Sequence, residues 1–307
     1  MGEPRDVLVT GLPRGGTTLT CELLGSLPDT VALDEPLRPR DLFGRQRHAR
    51  NRLHRQLRAA RARFFPFDVT RVCDKIDEFL ASTRASVVER GLAVTKHVEG
   101  RVLGAKVADE RTSDGLRRVL STRGEIAVDE TFPADFLLVV KQNALFAALI
   151  PELARRHRVV AVVRNPLSVL SSWQTVPFNV QTGHIPTAEK IDRRLATALR
   201  RLDDPVDRQV HVLDWFFGRY AQLDPTAVVR YEDIVASGGA ALAPVTPAAA
   251  SLDQALESRN RASVYDAARR QELGERLLAS DGAYWHLYPR ESVADLLADA
   301  GAGPRGP

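Results

Sequence analysis

Four short runs of β-branched and aliphatic residues punctuate the chain: "DVLVTG" (6–11), "FLLVVK" (136–141), "RVVAVVRNP" (158–166) and "AVVRYEDI" (227–234). Each is continuously apolar and bounded by turn residues or helical periodicity, the pattern of a strand buried on both faces of a parallel sheet. Between them, Leu19, Leu23, Leu24 and Leu27 recur at helical spacing, as do Leu145, Leu149 and Leu153, so each group makes the apolar stripe of a helix. Strand and helix alternating in this way predict an α/β fold of three layers, with a central, mostly parallel sheet flanked by helices. Ligands of such sheets collect at the carboxyl ends of the strands.

The same pattern predicts a helix over 51–64, rich in arginine and apolar at Leu53, Leu57, Ala60 and Phe64. "QTVPFNVQTGHIPT" (174–187) has turn residues and no period, which predicts a long loop. "ASGGAALAPVTPAAAS" (236–251) is low in complexity and reads as a mobile connector. No internal repeat is present. The expected organisation is one domain over 1–300 and a disordered tail, "GAGPRGP", over 301–307.

Composition adds little beyond bounds. The 307 residues are 44% apolar and 27% charged, ordinary for a globular protein. Two cysteines, Cys21 and Cys73, make no disulfide framework, and no Cys/His cluster has metal-ligand spacing, so no metal is expected. No apolar run reaches the roughly 18 residues of a spanning helix, and no signal peptide is visible, which makes a cytoplasmic setting the expectation. Net charge is +4, yet the basic residues are unevenly placed: eight arginines fall between Arg45 and Arg63, and no acid occurs from Leu42 to Phe67. That asymmetry favours an anionic ligand.

Candidate chemistry concentrates where the first predicted strand gives way to a helix, in "VLVTGLPRGGTTLT" (7–20). Gly11 and Gly16 have the G-x-x-x-x-G spacing of a phosphate-binding loop, but Thr17 and Thr18 stand where Lys and Ser/Thr would follow, and the cation, Arg14, lies inside the loop. Glycines at 15 and 16 permit close approach of backbone to ligand. The helix opening at Thr17 and Thr18 offers free N–H groups and a favourable dipole to an anion. A second cluster follows the run at 158–163: Arg164, Asn165 and Pro166 open a helix that carries Ser172. A guanidinium at a strand end and a hydroxyl two turns into the helix together suit a phosphate.

Pro13-Arg14-Gly15-Gly16-Thr17-Thr18 resembles the P-[KR]-x-G-T-T loop of sulfotransferases that use 3′-phosphoadenosine 5′-phosphosulfate (PAPS). Arg164-Asn165-Pro166, with Ser172 eight residues after the arginine, resembles the second nucleotide motif of the same family. The resemblance, to the bacterial type of this P-loop-like fold, covers roughly residues 7–260 and rests on these two motifs. It implies a loop of Arg14, Gly15, Gly16, Thr17 and Thr18 around the 5′-phosphosulfate, and a 3′-phosphate held by Arg164 and Ser172. It also implies adenine near Tyr231 of "VVRYEDI", Arg259 of "ESRNR" closing over the 3′-phosphate, and release of the bisphosphate (PAP) without a metal. The acceptor it implies is a small hydroxylated molecule, and the Ala- and Arg-rich composition fits a bacterial specialised metabolite. No nucleic-acid or membrane partner is implied.

Two positions depart from the cytosolic enzymes of that family. They carry an aromatic after the Thr-Thr pair, where this chain has Leu19. They also carry Lys-Thr-His before the second motif, with the histidine as base, whereas "VVKQNAL" (139–145) keeps Lys141 and has no histidine. The base assigned instead is Glu35 of "TVALDEPLRP" (30–39), matching a glutamate of tyrosylprotein and several bacterial sulfotransferases; Asp34, His97 and His184 compete with it. A base of this kind is expected to have its pKa raised by burial. Arg14 and Lys141 are expected to offset charge on the leaving phosphate and the sulfuryl oxygens. Two other readings stand beside this one: a P-loop kinase using Asp233 for magnesium, and a polyanion-binding module built on the Arg-rich helix.

Overall fold

The computed structural model describes residues 5–43, 68–102, 106–128 and 131–301. The helix predicted over 51–64, the arginines at 45–63 and the tail from 302 lie outside the described residues. In chain order the strands are β1 (Arg5–Gly11), β2 (Thr30–Asp34), β3 (Leu92–His97), β4 (Val107–Arg111), β5 (Arg117–Val119), β6 (Thr122–Ala127), β7 (Leu137–Lys141), β8 (Arg158–Val163) and β9 (Val228–Arg230). Helix α1 spans Thr17–Gly25.

Five strands form one sheet in the order β2-β7-β1-β8-β9, with every pairing parallel. All four predicted runs enter it. Their continuous apolar character has the expected cause, since each face of the sheet is covered. Leu8, Leu138, Val140, Val159, Ala161 and Val163 point into the larger core, shared with the helices Val69–Arg90, Asn143–Arg156 and Pro205–Tyr220. Val7, Val9, Leu137, Val139, Val160 and Val162 alternate to the opposite face and pack on α1. The outcome is the α/β three-layer architecture that the alternation predicts.

The second face corrects the reading of residues 236–251. Leu242, Val245 and Ala249 are fully buried in its core, and two 3₁₀ turns, Ala240–Leu242 and Pro247–Ser251, order the segment. Low complexity here means short side chains packed closely on a sheet, not a linker. The predicted loop 174–187 likewise holds a 3₁₀ turn at Asn179–Thr182, and a helix starts at Pro186.

An antiparallel arm has no counterpart in the sequence reading. β3 pairs with β6, and between them β4 and β5 form a second hairpin. The arm is fastened to the sheet edge where Asp34 N donates to Thr95 Oγ1 at 2.9 Å. It thereby stands beside the carboxyl ends of β2 and β7.

Candidate active site

A cavity of about 760 Å³ opens at the carboxyl ends of the parallel strands. Its lining follows strand order. β1, β8 and β9 deliver Arg14, Arg164 and Tyr231 to one side, while β2 and β7 deliver Asp34, Glu35 and Lys141 to the other.

On the first side the β1–α1 loop adopts a strained shape. Arg14 has φ 67°, a left-handed conformation that costs a non-glycine residue about 1 kcal/mol or more. The strain is held by neighbours: Trp173 Nε1 donates to Pro13 O at 2.8 Å, and Arg164 Nη1 donates to Arg14 O at 3.1 Å. Gly16 caps α1 at φ 93°, and a Cβ there would lie 2.5 Å from the Tyr231 ring, so both the conformation and the contact require glycine. The first-turn N–H groups of α1 have no intrahelical acceptor and face the loop.

Four guanidiniums gather around that loop. Burial first, then the like charges of Arg117, Arg164 and Arg259, lowers the Arg14 pKa to about 10 from 12.5, so it remains a cation at neutral pH. Arg117 and Arg259 share Asp109, at 2.8 and 3.3 Å. Arg14 and Arg164 have no carboxylate partner among the described residues. Arg164 is 5% exposed; its Nε donates to Asn260 Oδ1 at 2.7 Å, its guanidinium lies 4.6 Å over the Tyr231 ring, and its buried Nη2 has no hydrogen-bond partner. A buried donor left bare on a charged group costs more than a kilocalorie unless something fills it. This side concentrates positive charge around a buried, unpartnered donor.

On the second side Asp34 and Lys141 are register partners on adjacent parallel strands, so their side chains meet at 2.9 Å. Asp34 also pairs with Lys106 of the arm, and Glu35 pairs with Lys96 of the arm and, at 3.3 Å, with Lys141. Glu35 has φ 44°, and its backbone is fixed by Glu35 N donating to Lys141 O and Arg123 Nε donating to Glu35 O. Burial acts to raise the Glu35 pKa, but the charges and hydrogen bonds of Lys141 and Lys96 outweigh it and hold the carboxyl well below its usual range. The expectation of a raised pKa is therefore overturned. Lys141 is shifted upward: burial opposes its charge, and Asp34 and Glu35 more than compensate.

The remaining sequence-predicted residues divide. Gly16, Thr17, Thr18, Tyr231 and Arg259 line the cavity, with Gly15 turning the loop behind them. Tyr231 OH accepts from Arg259 N at 3.0 Å, which ties the late basic segment to the β9 end. Ser172 is 1% exposed and lies outside the lining, and its hydroxyl accepts from Arg14 Nε at 3.2 Å. Of the competing bases, His184 lines the cavity and meets Glu189 at 3.2 Å. His97 lies outside the lining, with Nδ1 accepting from Gly100 N. Asp233, the magnesium ligand of the kinase reading, is exposed on the helix Tyr231–Ala236 and outside the lining.

Lys96, Lys106, Arg117, Arg123 and Asn260 escaped the sequence reading. All but Asn260 come from the antiparallel arm. For Lys96 the available strand signal is the alternation in "LAVTKH" (92–97), of which it is the fifth residue. Asn260 belongs to a chain of contacts behind Arg164: its Nδ2 donates to Glu232 Oε1 at 2.8 Å, and Tyr288 OH donates to Glu232 Oε2 at 2.7 Å.

Comparison with known proteins matches residues 4–246 to the Sulfotransferase family. Among solved structures, sulfotransferase STF1 from Mycobacterium tuberculosis H37Rv is similar at 16% identity, over 97% of this chain and 77% of that one, with a TM-score of 0.32. No curated protein matches.

Proposed function

Since the chain belongs to the sulfotransferase family, we propose that it moves a sulfuryl group from PAPS to a hydroxyl of a small-molecule acceptor. The observation that carries the donor assignment is the bare Nη2 of Arg164, buried at the β8 end across from the glycine loop and α1. Two phosphate-sized demands for charge, one at the loop and one at Arg164, are what a 3′-phosphorylated adenosine nucleotide would meet. Arg14 and Arg164 are tied to neutral groups only, so their charge is available to an anion. Tyr231 and Leu256 border the same side and are the groups assigned to the adenosine, with Arg259 beside them assigned to the 3′-phosphate. The bound donor supplies a sulfuryl group on a phosphate leaving group.

The chain's own residues then have separable tasks. The loop from Gly15 to Thr18 and the α1 N-terminus orient the donor's 5′ end. Arg14, next to it, offsets charge on the departing phosphate oxygen, and Lys141 does so from the β7 end. Glu35, held ionised, takes the proton from the acceptor hydroxyl as its O–S bond forms. Its low pKa makes it a weak base that is always in the accepting form. Release of Lys96 from Glu35 when the acceptor enters would strengthen it.

Residues 1–300 are read as one domain. The family match spans most of them, and the helices Ala267–Leu278 and Glu291–Gly301 contribute Leu273, Leu277, Val293 and Leu296 to the larger core. The direct test is calorimetric titration with adenosine 3′,5′-bisphosphate, adenosine 5′-phosphate and ATP, each with and without magnesium, followed by mass detection of sulfated product from PAPS. Tightest binding of the bisphosphate, indifferent to magnesium, is expected. Magnesium-dependent preference for ATP would replace this reading with a kinase.

A further inference from the structure

Among the described residues, Arg164 Nη2 is one of three buried polar atoms without a hydrogen-bond partner on residues that line this cavity; the others are Gln142 Oε1 and Asn143 Oδ1. Both residues follow β7 directly, and each is 7% exposed. Their backbones are anchored to β1: Gln142 N donates to Val9 O at 2.9 Å, and Asn143 O accepts from Thr10 Oγ1 at 2.9 Å. Among the described residues their side-chain amides make no hydrogen bond. Strand order puts them between Glu35 at the β2 end and the β1 loop, so they lie on the acceptor's side of the transfer. Two adjacent carboxamides, buried and unpaired, are costly to leave so.

We infer that Gln142 and Asn143 form an acceptor subsite for a polyhydroxylated, uncharged molecule, a sugar-like polyol in which hydroxyls neighbour the one that reacts. This rests on the sulfuryl-transfer reading above. A carboxamide presents one acceptor and one donor group, and a hydroxyl can answer either, so the match does not depend on which way each amide is turned. A monohydric alcohol or a phenol fills at most one of these demands. A carboxylate or sulfate on the acceptor would find neutral amides here, with the lysines beside them, Lys96, Lys106 and Lys141, already ion-paired, and Arg123 holding the Glu35 carbonyl through Nε. Sites built to hydrogen-bond a hydroxyl discriminate strongly against analogues that lack it, because the site's own groups are then left bare.

The test uses the intact protein saturated with adenosine 3′,5′-bisphosphate. Ligand-observed NMR titrations compare cyclohexanol with methyl glycosides of glucose, galactose and mannose and with myo-inositol. At least one polyol should bind about ten-fold or more tightly than cyclohexanol, the effect of one or two buried hydrogen bonds, and Gln142→Leu and Asn143→Ala should each remove most of that advantage while nucleotide affinity stays. No polyol exceeding cyclohexanol overturns the inference, and so does a preference that survives both substitutions. The wild-type comparison decides even if a variant fails to fold. A protein that binds no bisphosphate refutes the sulfotransferase reading instead, and the polyol series without nucleotide still reports on the two amides.

Discussion

Replacing Arg164 by alanine should collapse the distinction between adenosine 3′,5′-bisphosphate and adenosine 5′-phosphate more than it weakens either alone. Arg164 does two kinds of work. Its Nε and Nη1 hold Asn260 Oδ1 and Arg14 O, and its ring-stacked guanidinium supports Tyr231; losing these harms the loop and so both nucleotides alike. Only Nη2, bare and buried, is left for a group that one nucleotide has and the other lacks. The ratio of the two dissociation constants cancels the shared damage and isolates that contact. A hydrogen bond between charged groups contributes about 1.5–3 kcal/mol, so the ratio should shrink by roughly 10- to 150-fold. Arg164→Lys keeps the charge and loses the planar fork, which should leave an intermediate ratio. Calorimetry at one ionic strength measures all six constants. An unchanged ratio in Arg164→Ala would place the 3′-phosphate elsewhere and remove the principal support for the donor.

Other outcomes follow from the second side of the cavity and from the loop. Glu35→Gln should lower sulfuryl transfer by roughly 10²- to 10⁴-fold with bisphosphate affinity retained; near-native rates on an aliphatic alcohol would move the base to Asp34 or His184. Because the folded pKa of Glu35 is lowered, it stays ionised above its usual 4.5, so kcat/KM should show no acid limb between pH 7.5 and 5.5. A limb inside that window would speak against Glu35 as the base. The same lowered pKa stabilises the fold fully above pH 4.5 and less as pH falls further. Acid unfolding should therefore be shallower in Glu35→Gln, and an unaltered slope would deny the ion pairs. Arg14→Ala should reduce kcat by a larger factor than bisphosphate affinity, since its contact tightens as the leaving group gains charge; equal losses would make it a ground-state anchor.

The sheet was legible because its strands are buried on both faces and therefore wrote themselves as unbroken apolar runs, Val7 to Val9 and Val159 to Val163 among them. The arm was not, because "VADER" and "TRGEIA" are half exposed and charged, and their pairing depends on residues far apart in sequence. That loss propagated to the site. The place of Glu35 at a strand end could be anticipated from the chain alone, whereas its charge state could not: Lys96 and Lys141 arrive from 61 and 106 positions away. Ser172 shows the limit of a spacing. Eight residues from Arg164 put it in the helix Pro166–Trp173, but its hydrogen bond from Arg14 Nε, 158 positions away, could not be read from the spacing. Segment 236–251 misled for the converse reason, since alanine and glycine serve a tightly packed sheet face as well as a linker.

The two sides of the cavity differ in how their charge is spent, and that difference should be visible in salt. At the β1 and β8 ends, Arg14 and Arg164 are held by a serine hydroxyl, an asparagine and a backbone carbonyl, so each meets an incoming anion without a competing carboxylate. At the β2 and β7 ends, Lys141, Lys106 and Lys96 are all committed to Asp34 and Glu35, Arg123 is held to the Glu35 carbonyl, and the buried atoms left bare are the amide oxygens of Gln142 and Asn143. Screening weakens attraction between a protein cation and a ligand anion, and it leaves hydrogen bonds to a neutral ligand almost untouched. Bisphosphate affinity should thus fall steadily between low and physiological ionic strength, while the affinity of a methyl glycoside for the loaded protein stays flat. Titrations at three salt concentrations measure both slopes. A polyol slope as steep as the nucleotide's would mean that the second side also recruits charge, and the division of labour between the strand ends would be wrong.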